Sequence, residues 1–385
     1  MMKSVISAPA MLGMLGGGQL GRFFVIAAHE MGYQVTVLDP DKNSPAGKIA
    51  DVHLCANYDD ETALKQVAKT CAAVTTEFEN VPAATLEKLA ESVIVRPSAA
   101  CVAIAQNRVL EKNFIKNAGL PFAPFAVIHA EKDLPEDNSD LYPAILKVAR
   151  FGYDGKGQAR VKNRAEAMLA FKEFKQENCV LEQMLPLDLE VSVILARDAE
   201  GNIASFPTAE NSHLNGILDI SIAPARCTEV IKANAQELAK KLAQKLDYVG
   251  VLGVEFFLVG NQLLVNEIAP RPHNSGHYTI DACVTNQFEQ QVRVMTGLPL
   301  GSAALHSNAV MVNILGDSWF AGTKTDALEP LWNQALSHSN LKLHLYGKRE
   351  PRKGRKMGHF TVIDKDLKSA LNIALIARGE LHVGE

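Results

Sequence analysis

Residues 253–271 read GVEFFLVGNQLLVNEIAPR. Two apolar runs flank Gly260-Asn261, a dipeptide suited to a tight turn, so the stretch predicts a two-stranded hairpin. Each strand carries one acid, Glu255 and Glu267, in otherwise apolar company. A buried carboxylate is costly unless it is paired or bound to a cation. Two facing carboxylates suit Mg²⁺, which takes one or two of them and completes its shell with nucleotide phosphates. Register sets a condition on this reading. A two-residue turn pairs 255 with 266 and leaves Glu267 on the opposite face. A three-residue loop, or a bulge, is needed to bring 255 opposite 267. The plainer alternative is that each acid pairs with a nearby base such as Arg271.

The rest of the chain bounds what such a hairpin can serve. At 385 residues the sequence exceeds one ordinary core, which points to two or three domains. It is 47% hydrophobic and 21% charged, as globular proteins are. A net charge of -4 gives no reason to expect nucleic acid or an anionic membrane as partner. No apolar run approaches the roughly 18 to 20 residues of a membrane span. The opening MMKSVISAPAMLGML has Lys3 ahead of apolar residues, but Pro9 interrupts the run, and it reads as an extension plus a first strand. Six scattered cysteines without a C-x-x-C pair read as reduced thiols in a cytoplasmic protein.

Residues 10 to 105 alternate short β-like runs with helical ones, the pattern of βαβ units and a parallel sheet. Strands are expected at 10–15, 34–39, 72–77 and 92–97, with helices at 19–32, 61–70 and 82–91. A helix at about 107–118 follows. From 122 to about 215 short strands surround one helix near 163–175, an α+β pattern. A long amphipathic helix is expected at 228–246, and further helix at 277–296. The tail predicts strands at 309–315, 341–346 and 358–363 and a helix near 366–378. The domains so drawn are an N-terminal α/β unit (1–105), a middle domain (106–305) with a subdomain at about 122–187, and a C-terminal domain (306–385).

Four other segments hold the side chains that chemistry would need. MLGGGQLGRFF (14–24) contains G-x-G-x-x-G ahead of a helix, a turn that offers free N–H groups and a positive dipole end to an anion. It fits a dinucleotide site, another phosphate, or a turn that needs glycine for geometry alone. KVARFGYDGKGQ (147–158) combines Lys147 with a glycine-rich loop that could fold over a triphosphate, although the G-K-[ST] ending of a Walker loop is missing. APRPHNSGH (269–277) places Arg271, His273, Asn274 and Ser275 just past the second acid. YGKREPRKGRKMGH (346–359) sets six basic residues around glycines, a solvated run or a phosphate clamp. There is no G-x-S-x-G elbow and no thiol-hydrolase signature, which leaves covalent catalysis without a nucleophile.

Taken in order, GGGQLGR, TTEFENVP (75–82), FGYDGKGQ, NEIAPRPHNSGHYTIDAC and GRKMGH resemble the ATP-grasp superfamily. Within it, they resemble the ligases that carboxylate 5-aminoimidazole ribonucleotide in purine biosynthesis. The resemblance covers nearly the whole chain. It implies a Rossmann-like parallel-sheet domain, a central lid and a C-terminal domain closing on ATP. It implies a reaction in which bicarbonate attacks the γ-phosphate, and the resulting carboxyphosphate carboxylates the amine. ATP would meet Arg108, Lys147, the loop Gly152, Tyr153, Asp154, Gly155, Lys156, Gly157 and Gln158, and the hinge Glu182, Gln183, Met184 and Leu185. Glu190, His213, Asn266 and Glu267 would complete that set. Glu255 and Glu267 would hold Mg²⁺. Arg271, His273, Tyr153 and Lys147 would act on the reacting groups. The ribonucleotide would lie against Gly18, Gln19, Leu20, Glu77, Glu79, Asn274 and Ser275, with its phosphate on Lys348 and Arg355. A homodimer is implied as well. Two departures stand out: Ala269 occupies a position that is often Asn in the superfamily, and Arg352-Lys353-Gly354 stands where Arg-Pro-Gly is common. Alternatives are a formate-dependent glycinamide ribonucleotide transformylase and a dinucleotide-dependent oxidoreductase; the second leaves the acid pair and the basic loop unexplained.

Overall fold

The structure is a computed structural model that describes residues 5–150, 152, 157–320 and 326–381. Its N-terminal part holds strands β1 (Met11–Leu15), β2 (Gln34–Leu38), β3 (Val52–Leu54), β4 (Ala73–Thr76) and β5 (Ile94–Val95). They pair in the order β3-β2-β1-β4-β5, every pair parallel. Helices α1 (Gln19–Glu30), α2 (Glu61–Thr70), α3 (Ala83–Ala90) and α4 (Ala99–Ala105) accompany them. Parallel strands need crossovers, and the apolar helix faces cover the sheet: Phe24 and Val25 of α1 and Leu64 and Val67 of α2 are buried. Asp60 starts α2 by accepting the Ala63 N–H at 2.8 Å. The short β3 and the small-residue helix α4 were not expected from the sequence.

Helix α5 (Arg108–Asn117) leads into β6 (Phe125–Ile128), β7 (Ala144–Val148), β8 (Gln158–Val161), α6 (Arg164–Glu173) and β9 (Cys179–Gln183). These four strands form an antiparallel sheet in the order β6-β9-β7-β8. Phe171 of α6 is fully buried among Leu146, Val161 and Leu181.

The third sheet has nine strands. They are β10 (Leu189–Arg197), β11 (Ile203–Ser205), β12 (Ala209–Leu214), β13 (Ile217–Ala223), β14 (Gly250–Val259), β15 (Gln262–Ala269), β16 (Asn308–Leu315), β17 (Leu341–Leu345) and β18 (Lys356–Asp364). The order is β15-β14-β10-β12-β13-β16-β18-β17, with β11 also on β10. The tail's strands thus continue the sheet that carries the acid-bearing hairpin. Helix α7 (Glu229–Lys245) lays Ala235, Ala239, Leu242 and Ala243 on Val193, Leu195, Leu252 and Val254. The small alanines allow close approach of helix to sheet.

Two readings need correction. The helix expected over 277–296 is broken into α8 (Thr279–Ala282) and α9 (Gln287–Thr296), because the Asn286 side chain accepts the Phe288 and Glu289 N–H groups at 2.9 Å and starts a new helix. Strands β12 and β13 escaped notice because polar residues such as Glu210, Asn211 and Ser212 interrupt any apolar run there. Helix α10 (Trp332–Ala335) lies between β16 and β17, and α11 (Leu367–Leu381) is the last element of the described residues.

Candidate active site

The hairpin meets the register condition in an unexpected way. Val259 pairs with Gln262, so the turn is the two-residue Gly260-Asn261, with Gly260 at φ +59. The ladder runs to Phe256 opposite Val265 and then slips by one residue, setting Glu255 opposite Glu267. Asn266 is the extra residue of this bulge. Burial, and after it the Glu267 charge, pushes the Glu255 carboxyl up to about 7. The Asn266 Oδ1 is buried without a partner among the described residues. Two acids that resist sharing negative charge, beside an unpartnered oxygen, form a donor set that fits a hard divalent cation.

Bases surround this pair, though not as the plainer alternative had them. Arg108 reaches Glu267 at 3.4 Å, and His273 Nε2 lies 3.5 Å from Glu255 Oε1. Arg271 instead donates to Glu79 Oε2 at 2.7 Å. Burial alone would raise the Glu79 carboxyl, but the Arg271 charge and hydrogen bond bring it down to about 2. Burial lowers the Lys147 ammonium from its ordinary value, and Glu182, 3.0 Å away, opposes that. Glu182 also takes Lys112 at 3.3 Å, and the surrounding Lys112, Lys147 and Arg108 outweigh its burial and hold it at about 2. Lys112, fully buried, donates as well to the Asn266 carbonyl at 2.9 Å. It was missed in the sequence, where a lysine one turn after Arg108 looks like a solvated helix face.

One cleft of about 1130 Å³ gathers most of the expected residues. Its wall includes Gln19, Arg108, Lys147, Glu190, His213, Glu255, Glu267, Arg271, His273, Asn274, Lys348 and Arg355, and Gly18, Leu20, Glu77, Glu79, Gly152, Gly157, Gln158 and Asn266 also line it. Glu190 Oε2 sits 3.0 Å from His213 Nδ1; burial would lower that imidazole, yet the Glu190 contact raises it overall. The Lys348 ammonium donates to Gln19 Oε1 at 2.9 Å, tying the basic loop to the glycine turn.

Several residues stand elsewhere than expected. The glycine turn's amides are already occupied: Gly18 and Gly21 donate to the Glu77 carboxylate, and Gly17 donates to Asp39 Oδ2 at 2.7 Å. The anion in this cradle is the chain's own Glu77, whose carboxyl burial raises from its ordinary value. Asp39 thus serves the turn itself. Ser275 is fully buried, bonded to His273, and does not line the cleft. The Glu182 side chain also points inward. Gln183 Nε2 donates to Asp140 O at 2.8 Å and the Met184 N–H to Pro143 O at 2.9 Å, so the hinge is bound to neighbouring loops at these atoms and Leu185 follows them. Tyr153, Asp154, Gly155 and Lys156 lie outside the described residues.

Comparison with known proteins matches three segments of the chain. Residues 10–106 match the ribonucleotide synthetase preATP-grasp domain, 113–288 the ATP-grasp domain, and 309–372 the phosphoribosylaminoimidazole carboxylase C-terminal domain. The N5-carboxyaminoimidazole ribonucleotide synthase of Bacillus subtilis (strain 168) is 44% identical over 94% of this chain and 93% of that protein. This chain belongs to the N5-carboxyaminoimidazole ribonucleotide synthase family. The synthase of Brucella melitensis is 43% identical over 94% of this chain and 98% of its own. An ADP complex of N5-carboxyaminoimidazole ribonucleotide synthetase superposes with a TM-score of 0.91 at 41% identity, covering 98% of both chains. The Aspergillus clavatus synthase, solved with ADP and 5-aminoimidazole ribonucleotide, gives 0.86 at 32% identity over 99% of both. Membership makes the chain an ATP-grasp enzyme with a preATP-grasp domain built on a parallel sheet. Among the described residues, no helix is long and apolar enough to cross a membrane.

Proposed function

We propose that the cleft carboxylates 5-aminoimidazole ribonucleotide with bicarbonate and ATP, releasing N5-carboxyaminoimidazole ribonucleotide, ADP and phosphate. The observation that carries this reading is the bulge that sets Glu255 opposite Glu267 in a cleft shared with Lys147, Arg108, Arg271 and His273. Glu255, Glu267 and Asn266 would hold Mg²⁺, which supplies charge neutralisation for the triphosphate. Lys147 and Arg108 orient the phosphates for in-line attack. Arg271 receives bicarbonate; its contact with Glu79 fixes the guanidinium, so the charge is in place before the oxyanion forms. Glu190 and His213 take the ATP ribose end, and Lys348 and Arg355 take the ribonucleotide phosphate. With no nucleophile required, catalysis rests on positioning, charge and exclusion of water from carboxyphosphate. Six free cysteines support a reducing, cytoplasmic setting, and the homodimer implied by the resemblance is checked by sedimentation. The test of function is ADP release measured with amine and bicarbonate each omitted in turn. Release that needs both supports the reading; release that needs formate, or neither, rejects it.

A further inference from the structure

His273 is held from three directions. Gln287, fully buried, clamps its peptide: the His273 N–H donates to Gln287 Oε1 at 2.8 Å and the Gln287 amide donates to His273 O at 2.9 Å. Beneath it Gly253 leaves room, since a Cβ there would lie 2.8 Å from the His273 Cβ. The ring itself is reached by two donors. The Ser275 main-chain N–H lies 3.3 Å from His273 Nδ1, and the Ser275 hydroxyl 2.9 Å from the same atom. Ser192 Oγ is 2.8 Å from Ser275 Oγ, and both serines are buried.

The directions of these bonds follow from chemistry. A main-chain N–H can only donate, so Nδ1 carries no proton. With Nδ1 an acceptor, the Ser275 hydroxyl must donate to it. That hydroxyl has one hydrogen, so the Ser192 hydroxyl must donate to Ser275. The single proton of the neutral ring therefore sits on Nε2, the atom that lies 3.5 Å from Glu255 Oε1 in the cleft. Ser192, on β10, is also the cross-strand neighbour of Glu255, so the chain of hydroxyls is anchored to the strand beside the one that bears the first acid.

We infer that Ser275 and Ser192 are positioning residues that lock His273 in its Nε2-protonated tautomer, so that the imidazole offers an N–H donor, and no base, to a carbonate-type oxyanion beside Arg271. The oxyanion's identity rests on the ligase reading above; the tautomer does not. A third group orienting an imidazole and fixing its proton is a known device of catalytic and metal sites. Here hydroxyls perform it instead of a carboxylate, which leaves the ring neutral and keeps further negative charge away from two acids.

The test uses the full chain labelled with ¹⁵N-histidine, with the His273 signals identified by their loss in His273→Asn. The expected spectrum shows His273 Nδ1 as the unprotonated nitrogen and Nε2 as the protonated one. In Ser275→Ala the two forms mix, and kcat falls about 10- to 100-fold with KM for ATP unchanged. Ser192→Ala, one link further out, gives a smaller fall in the same direction. A protonated Nδ1 in the wild-type chain overturns the inference, as does a Ser275→Ala variant with unchanged tautomer and unchanged kcat. The spectrum is read in the resting protein, so a chain that released no ADP would reject the ligase reading and leave the tautomer standing.

Discussion

At the scale of single residues, the site sets acids and bases against one another so that burial and charge decide each protonation state. Glu267 carries the charge that matters most to the proposed function. Its side chain is 45% exposed and paired only loosely with Arg108, so the fold does not depend on its charge, while the proposed cation does. Glu267→Gln is expected to lower ADP release at least about 100-fold, because loss of a metal ligand removes several kcal/mol of charge stabilisation. Circular dichroism and unfolding midpoint should stay as in the wild type; retained turnover would remove the metal assignment. Glu79 works the other way. Its carboxyl is held at about 2 by Arg271, below the ordinary 4.5. A depressed carboxylate stabilises the folded state above the unfolded value, and that stability is lost as pH falls from about 4.5 toward 2. For a partly exposed group the contribution is on the order of 2 kcal/mol. Glu79→Gln should therefore cost about that much at pH 7, and the difference from wild type should shrink in urea titrations run at pH 3.

At the scale of elements, the β14–β15 hairpin does more than hold two acids. Gly253, two residues before Glu255, leaves the gap over which His273 packs. Gly253→Ala forces that ring to shift, and overpacking of this kind costs about 1 to 3 kcal/mol. The expected result is a folded chain with lower kcat and an ADP affinity close to wild type, read by calorimetry. An unchanged kcat would show that His273 does not need this exact seat. The hairpin also shows how far the sequence could be read. Alternation of apolar runs and turn dipeptides marked β14, β15, β10 and the parallel strands other than β3, because burial imposes that pattern on any strand with apolar neighbours. The bulge was legible only as a condition: nothing local in VNEIA says which residue is extra, since the slip is set by what Glu255 must face. Hydrogen bonds formed across the chain were equally hidden. The Glu77 carboxylate in the glycine turn lies 56 residues from Gly21, and the Lys112–Glu182 pair spans 70. Ser275 was read as a substrate contact because its motif is polar, whereas its neighbours turn that polarity inward.

At the scale of the whole molecule, the parts meet at a buried ring cluster and again at the phosphate end of the cleft. His277, after the second acid, stacks on His359 of β18 at 4.6 Å, His359 stacks on His344 of β17 at 4.7 Å, and Phe23 of α1 packs against all three. Burial holds His277 and His359 well below their ordinary 6.5. The folded state thus keeps both neutral while the unfolded chain takes up protons, so their stability contribution is complete above about pH 6.5 and is lost as pH falls below it. The expected slope is about 1.4 kcal/mol per pH unit for each histidine, and His277→Phe should halve this pair's share of it in denaturant titrations between pH 7 and 5.5. The second junction bears on function directly. Lys348 belongs to the basic loop of the C-terminal part, yet its ammonium donates to Gln19 at the start of α1 and to the Lys356 carbonyl. The cation proposed to receive the ribonucleotide phosphate is therefore held in place by both ends of the chain. Lys348→Met removes that charge without touching the ATP side. KM for 5-aminoimidazole ribonucleotide should rise by about 10- to 100-fold, the equivalent of a charge-assisted hydrogen bond worth roughly 1.5 to 3 kcal/mol, while KM for ATP stays within about twofold. Gln19→Leu, which leaves the charge but frees its seat, should raise the same KM by less. If Lys348→Met instead raised KM for ATP and left that of the amine unchanged, the two ends of the cleft would have to be exchanged.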